Sequence, residues 1–210
     1  MADFFNACFG AFFGAACAFL FAYIERLKTQ EKKEHDSLIE VQYSLGFMLN
    51  SVEHIWRQHL RAEESNPNRH GALPSLNFPD HQLTIDHKGI MFIAGQGAAP
   101  LVQDLFMAEK AFLNALDAMR QRNRAHEELE FHPTTKLLAF DASTGKADIN
   151  PHPFLLNRLK LTTDSVYRTV PRASELLKKA LTDVIHFTRS KYPGMGVLVL
   201  EDDESTITSP

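Results

Sequence analysis

The stretch FFNACFGAFFGAACAFLFAYI, residues 4–24, decides the fold class of this chain. It carries no charged side chain, and Asn6 is its only strongly polar residue. A helix of this length rises about 30 Å, which is the hydrocarbon thickness of a bilayer. A core helix of a globular protein would show a polar face, and this stretch has none. The sequence therefore predicts a transmembrane helix over residues 4–24.

A cleaved signal peptide is the alternative interpretation of this stretch. Signal peptides begin with a basic segment, but residues 1–7 hold no Lys or Arg, and the small residues at 16–18 lie inside the apolar run. Four basic side chains follow the run: Arg26, Lys28, Lys32 and Lys33. The positive-inside rule then predicts a single-pass protein of the inner (plasma) membrane, with its N-terminus outside and its C-terminal domain in the cytoplasm.

Small or amide-bearing residues recur at every fourth position of the predicted span and share one helix face: Asn6, Gly10, Gly14, Ala18 and Ala22. In lipid, small residues let two helices approach closely, and an Asn side chain can hydrogen-bond across their interface. We therefore expect homo-oligomerisation through the span. The alternative is that Gly and Ala are simply common in membrane helices.

Three further stretches carry apolar residues at helical spacing and predict the helices of a bundle. They are residues 25–63, continuing the span, 100–129 and 151–191. Asn150 is expected to cap the third helix, and Pro171 is expected to divide it in two or to kink it sharply. Residues 65–99 and 131–150 are expected to form loops, because Pro, Gly and polar residues punctuate them.

Composition supports a globular domain attached to this anchor. The chain has 210 residues, of which 44% are hydrophobic and 23% are charged. A net charge of −4 provides no general basic field, so nucleic acid is not an expected partner. The sequence thus predicts a mainly α protein, in which a transmembrane helix continues into a long helix packed in a three- to four-helix cytosolic bundle. The predicted divisions are an anchor over 1–24, the helical domain over 25–200 and a disordered acidic tail over 201–210.

Polar residues interrupt the apolar face of the second bundle helix near its end. Asn123 and His126 follow Met119 by four and seven residues, so they lie on the same helix face as the apolar residues. If they are buried, they need hydrogen-bond partners. The segment resembles the active-site signature of HEPN-type ribonucleases, which are dimeric helical bundles with Arg-x4–6-His motifs, and Arg120 and His126 fit that spacing. The resemblance implies a catalytic set of Arg120, Asn123 and His126, in which His126 is the general acid or base and Arg120 stabilises phosphate charge. The alternative is a solvated basic helix end.

Metal and cofactor motifs are not evident. A loop cluster of His and Asp has no metal-binding spacing, so no metal site is predicted for Asp80, His81, Asp86 and His87. The stretch GIMFIAGQGAAP, residues 89–100, looks like a strand and a glycine loop before a helix. It lacks the third glycine of a dinucleotide-binding turn, and we expect no cofactor.

The layout resembles that of a loose group of bacterial single-pass membrane proteins with a Gly/Ala/Phe-rich span and a small helical cytosolic domain. These tend to carry an Arg-Asn pair near the end of the second cytosolic helix, as at Arg122 and Asn123. Some small membrane proteins of bacterial defence systems share the layout. We expect a non-enzymatic, self-associating module that binds an unidentified cytosolic protein or signal. The alternatives are a membrane-tethered HEPN-like ribonuclease and an effector whose spans disrupt the membrane.

Overall fold

Three long helices dominate the computed structural model. It describes the backbone of residues 2–76, 83–131, 136–141, 146–150 and 152–194, and the side chains of residues 12–76, 83–131 and 152–194. The long helices are α1 (Ala2–Ile55), α4 (Ala99–Glu130) and α5 (Pro153–Lys191). Two short helices lie in the connection from α1 to α4: α2 (Arg69–Ala72) and α3 (Phe92–Gly95). The predicted mainly α fold is therefore confirmed.

The long helices form the expected bundle, because their apolar stripes meet in one core. α5 packs along α4 on one side and along α1 on another, whereas α1 and α4 touch little. The apolar residues that recur at helical spacing along the three helices are buried: Leu38, Val41, Leu45, Met48, Val52 and Ile55; Leu105, Ala108, Phe112, Leu116 and Met119; Leu155, Leu159, Val166, Val170, Leu177, Leu181 and Val184. The helical spacing of apolar residues was thus sufficient to identify which face of each helix enters the core.

The first bundle helix changes its hydrogen bonding before it ends. After Ile55 the chain forms a π-helical turn at Trp56–Leu60 and a 3-10 turn at Arg61–Glu63. The Tyr167 hydroxyl of α5 donates a hydrogen bond to the Leu60 carbonyl oxygen at 3.0 Å, and its ring meets Trp56 edge to face. These contacts fasten the irregular turn to α5. The helical path ends at Glu63, close to the predicted end.

The expected division of the third helix at Pro171 is wrong, since α5 continues from Pro153 to Lys191 as one helix. A proline inside a helix removes one backbone hydrogen bond and costs about 3 kcal/mol. The neighbouring Val170 and Ala173 are fully buried, so packing of α5 against the other helices offsets that cost.

The loop expected over residues 131–150 is also a wrong prediction. Strands β1 (Lys136–Asp141) and β2 (Lys146–Asn150) pair antiparallel, with an irregularity between Leu137 and Ala139. Pairing gives the backbone groups of these short segments hydrogen-bond partners. Asn150 pairs with Lys136 instead of capping α5, which has His152 as its N-cap.

The segment before the bundle is a helix that stands clear of it. Leu38 is the first buried residue of α1 in the described part, and the side chains of residues 12–33 are exposed except for the partly buried Ala16 and Cys17. In the part of the chain that the structure describes, no helix is both long and apolar enough to cross a membrane. The predicted span begins at Phe4, and the side chains of residues 4–11 lie outside the described residues. The transmembrane prediction receives no support from the structure and stays a prediction. The tail, 201–210, also lies outside the described residues.

Candidate functional site

The candidate catalytic segment lies at the C-terminal end of α4, where Arg122 is completely buried. Its guanidinium donates hydrogen bonds to the carbonyl oxygens of Leu73 and of Pro74, the latter at 2.7 Å. Within the described residues no carboxylate pairs with it, and burial lowers the pKa of Arg122. Because both carbonyls follow α2, the side chain holds the chain that leaves this short helix.

Asn123 extends the same attachment by one residue. Its Nδ2 donates to the carbonyl oxygen of Leu76 at 2.8 Å, and its Oδ1 accepts from the backbone N–H of Leu76 at 3.0 Å. The side-chain amide of Asn123 thus makes the same pair of hydrogen bonds with the backbone of Leu76 that a neighbouring strand would make. Arg122 and Asn123 together clamp residues 73–76 against α4. Asn123, which is partly buried, thus has hydrogen-bond partners through both ends of its amide.

His126 lies one turn further along α4 and is partly buried. Its Nδ1 lies 3.8 Å from a carboxylate oxygen of Glu130, too far for a hydrogen bond, and no described residue donates to it or accepts from it. Burial, and then the nearby positive charge of Arg122, lower the pKa of His126, while Glu130 acts in the opposite direction. The imidazole is therefore predominantly neutral near pH 7.

Arg120, the other half of the predicted motif, has a different environment. Its side chain is exposed, and its guanidinium lies 3.6 Å from a carboxylate oxygen of Asp117 on the same helix. The buried cation beside His126 is Arg122, and backbone carbonyls already occupy its guanidinium. The geometry thus assigns a structural contact to Arg122 and leaves Arg120 at the surface.

A buried carboxylate that sequence reasoning missed lies earlier on α4. Glu109 accepts a hydrogen bond from the backbone N–H of Ile85 at 2.9 Å and bonds to Nε2 of His87. The His87 ring stacks on Phe106, with 3.8 Å between ring centroids. The position of Glu109 on the apolar face of α4 could have been predicted from the sequence, because Glu109 follows Leu105 by four residues. The contacts attach the segment before α3 to α4.

The loop residues for which no metal site was predicted lie in the same segment before α3. Asp80 and His81 lie outside the described residues. Elsewhere in the described ranges, no group of three His, Cys, Asp or Glu side chains is arranged to hold a metal ion. Asp86 accepts a hydrogen bond from the backbone N–H of Lys88 at 3.1 Å, and His87 is engaged with Glu109.

A second polar cluster lies where α1 enters the bundle, and it surrounds Glu34. The Tyr192 hydroxyl donates to the Glu34 carboxylate at 2.8 Å, and Nε2 of Gln96 donates to the same oxygen at 3.2 Å. Burial and the hydrogen bond to Glu34 raise the pKa of Tyr192. One carboxylate of α1 therefore binds the end of α5 and the segment between α3 and α4.

The predicted oligomerisation face lies on the projecting part of α1. Ala18 and Ala22 are exposed, and a Cβ atom added at Gly14 would meet nothing within 4 Å. The side chains of Asn6 and Gly10 lie outside the described residues. The described part of this face is thus not covered by the chain itself.

Comparison with known proteins found no relative: no protein-family model matches the chain, and searches of curated proteins and of solved structures gave no match. A function therefore has to be inferred from the residues and contacts of this chain.

Proposed function

We propose that this protein is a self-associating, membrane-anchored helical protein whose bundle binds a partner or a signal. One observation carries the proposal: α1 is a single helix from Ala2 to Ile55, which joins the apolar segment directly to the core. On its projecting part, Phe12, Phe19 and Phe21 are 76%, 73% and 74% exposed. A contiguous apolar surface of this kind marks an interaction site. A bilayer and neighbouring copies of the helix would cover it.

The attachment of α1 to the bundle supports a signalling role. Glu34 binds Tyr192 and Gln96 just before Leu38 enters the core. A continuous helix that is held by polar contacts where it joins the bundle moves as a rigid element, so a displacement of the anchor reaches the bundle. A flexible linker would not transmit that displacement. Assembly of the anchors would therefore bring the bundles together in a defined orientation.

Oxidative crosslinking of the full chain in bacterial membranes tests self-association. Cys17 lies three residues after Gly14, so a disulfide between copies would report that the two faces meet. We expect a dimer that Cys17→Ala abolishes and Gly14→Leu weakens. The space around Gly14 is open within the chain, so a leucine there leaves the bundle intact. Ala16→Leu places the same leucine side chain on the opposite side of the helix and serves as the control.

Three results would count against the proposal. Absence of crosslinked dimer in protein that fractionates with membranes would contradict self-association. Release of the full chain from membranes by alkaline carbonate would contradict the anchor. Equal loss of dimer in Gly14→Leu and Ala16→Leu would show that the small-residue face has no special part in assembly.

A ribonuclease of HEPN type is the second candidate, and the environment of His126 favours it. The lowered pKa of this histidine keeps a neutral imidazole available as a general base near pH 7. The full chain in detergent should then cleave RNA without added metal, and His126→Gln should abolish cleavage. Arg120→Gln should lower the rate if Arg120 stabilises phosphate charge. Cleavage that persists in His126→Gln would remove this candidate.

A further inference from the structure

A groove between α4 and α5 combines apolar and basic side chains. Its volume is about 270 Å³, and its apolar lining includes Met107 and Leu176. Its basic lining consists of Lys110 of α4 with Arg168 and Arg172 of α5. The two arginines are four residues apart, so they share one helix face, where like charges destabilise a helix unless an anion lies between them.

The three cations of the groove have no acidic side chain beside them in its lining. No carboxylate lines the groove, and within the described residues none of the three forms an ion pair. Elsewhere on α4 and α5, three basic side chains pair with acidic ones: Lys179 with Asp104, Arg158 with Glu128 and Arg120 with Asp117. Lys178 and Arg189 form no ion pair among the described residues either, but they are exposed singly and lie outside the groove. In a chain of net charge −4, an acid-free cluster of this kind is suited to an anionic ligand.

We propose that this groove binds a free phosphorylated ligand of mononucleotide size, such as a nucleoside diphosphate. Guanidinium groups bind phosphate oxygens in a two-pronged geometry, and a lysine adds a point charge. The amide of Asn114, also in the lining, can donate a hydrogen bond, while Met107 and Leu176 offer apolar contact to a base. The volume is slightly below the range of about 300–1,000 Å³ for small-molecule sites, which favours a compact ligand. The inference deepens the proposed function by naming the signal.

A lipid headgroup carries the same phosphate chemistry, but the position of the groove favours a free ligand. Ser174 lies between Arg172 and Leu176 in sequence, and its hydroxyl oxygen is 3.5 Å from the Glu53 carboxylate of α1. The groove is therefore at about the same height along α1 as Glu53. About 44 Å of helix separates Ile24, where the predicted span ends, from Glu53 at about 1.5 Å per residue. Under the proposed anchoring, the groove is therefore out of reach of the bilayer surface.

Calorimetric titration of the full chain in a non-ionic detergent with ADP tests the proposal. The double variant Arg168→Gln, Arg172→Gln should weaken ADP binding about 10-fold to 100-fold, because it removes two charge-assisted contacts. The control is Lys178→Gln, Arg189→Gln, which removes the same charge from exposed sites of α5 outside the groove. Both variants change exposed side chains, and equal thermal melting of the two would verify that the bundle is retained.

The outcomes separate this inference from the proposed function. No ADP binding at about 1 mM, or equal weakening in both double variants, overturns the ligand site. Binding of the chain to phosphatidylglycerol vesicles is measured in parallel. If the groove variant lost vesicle binding but kept ADP binding, the cations would be assigned to a lipid surface and the proposal would be overturned. Groove-dependent ADP binding by a chain that fails to crosslink would support the ligand site while contradicting self-association.

Discussion

Gln42 of α1 donates a hydrogen bond to the hydroxyl oxygen of Thr188 on α5 at 2.8 Å, between two completely buried side chains 146 positions apart in sequence. The Thr188 hydroxyl in turn donates to the Val184 carbonyl oxygen at 2.7 Å. Since a buried polar group is costly when unpaired, this contact favours one register of α1 against α5. The register also determines where the projecting part of α1 leaves the bundle.

Replacing Thr188 by Val should destabilise the bundle. The variant keeps the side-chain shape but removes the acceptor for Gln42, so the free energy of unfolding should fall by about 1–3 kcal/mol. Urea denaturation of the full chain in detergent measures it. Thr182→Val is the matched control, because the exposed Thr182 makes the same bond to its own helix, to the Lys178 carbonyl, at 2.9 Å. Equal losses in the two variants would show that the contact between helices adds nothing.

Replacing Arg122 should release the chain after α2. Arg122→Met removes the hydrogen bonds from a buried cation to the carbonyls of Leu73 and Pro74, together with a longer one to that of His70, so the free energy of unfolding should fall by about 2–3 kcal/mol. Arg122→Lys should restore only part of it, because one ammonium group cannot reproduce the guanidinium fork. Arg120→Met, at an exposed position, should change stability little. Denaturation measures stability, and limited proteolysis over residues 69–76 measures release of the segment. An uncut segment in Arg122→Met would contradict the clamp.

The helices of the bundle were predictable because their apolar side chains repeat at helical spacing. Predictions from the local sequence were wrong where tertiary packing opposed the local preference. Pro171 predicted a division or a sharp kink, and the division is wrong because α5 is one helix across Pro171, with Val170 and Ala173 buried beside it. The hairpin was missed because β1 and β2 are stabilised by each other, and neither segment has a strong strand pattern of its own.

The candidate site was predictable only in part. The spacing from Met119 correctly indicated that Asn123 faces the interior, but no local pattern could show that Arg122 reaches the carbonyls near Leu73, which lie about fifty residues earlier. The spacing from Leu105 places Glu109 on the apolar face of α4, but it could not show that its partner is His87 in a loop. The groove of Lys110, Arg168 and Arg172 brings together two helices far apart in sequence, and only the packed structure places their charges side by side.

Acidification should destabilise the protein through two histidines. Burial and the charge of Arg122 lower the pKa of His126 below 6.5, and burial with Lys160 lowers that of His70. The unfolded chain then binds protons that the folded chain does not, so the free energy of unfolding is greatest above pH 6.5 and falls as the pH drops toward the lower folded values.

Urea denaturation at about pH 7.5 and about pH 5.5 measures this pH dependence, since the interval spans histidine titration. The double variant His70→Gln, His126→Gln should lose less stability between these values than the natural chain. His186→Gln, at an exposed position of α5, controls for the loss of a histidine as such. An undiminished decline in the double variant would assign the pH dependence to other groups.

Two glycines should respond to alanine in opposite directions. Gly46 lies within α1, and a Cβ atom there would meet nothing within 4 Å. Alanine should therefore raise the free energy of unfolding by about 0.5–1 kcal/mol, because it removes the entropy cost of glycine in a helix. Gly97, just before α4, also has open space, but its φ of +85° is in the left-handed region. Alanine there should lower the free energy of unfolding by about 1–2 kcal/mol. Because neither site is crowded, urea denaturation of the two variants separates backbone conformation from packing, and changes of the same sign would contradict the helix at Gly46 or the turn at Gly97.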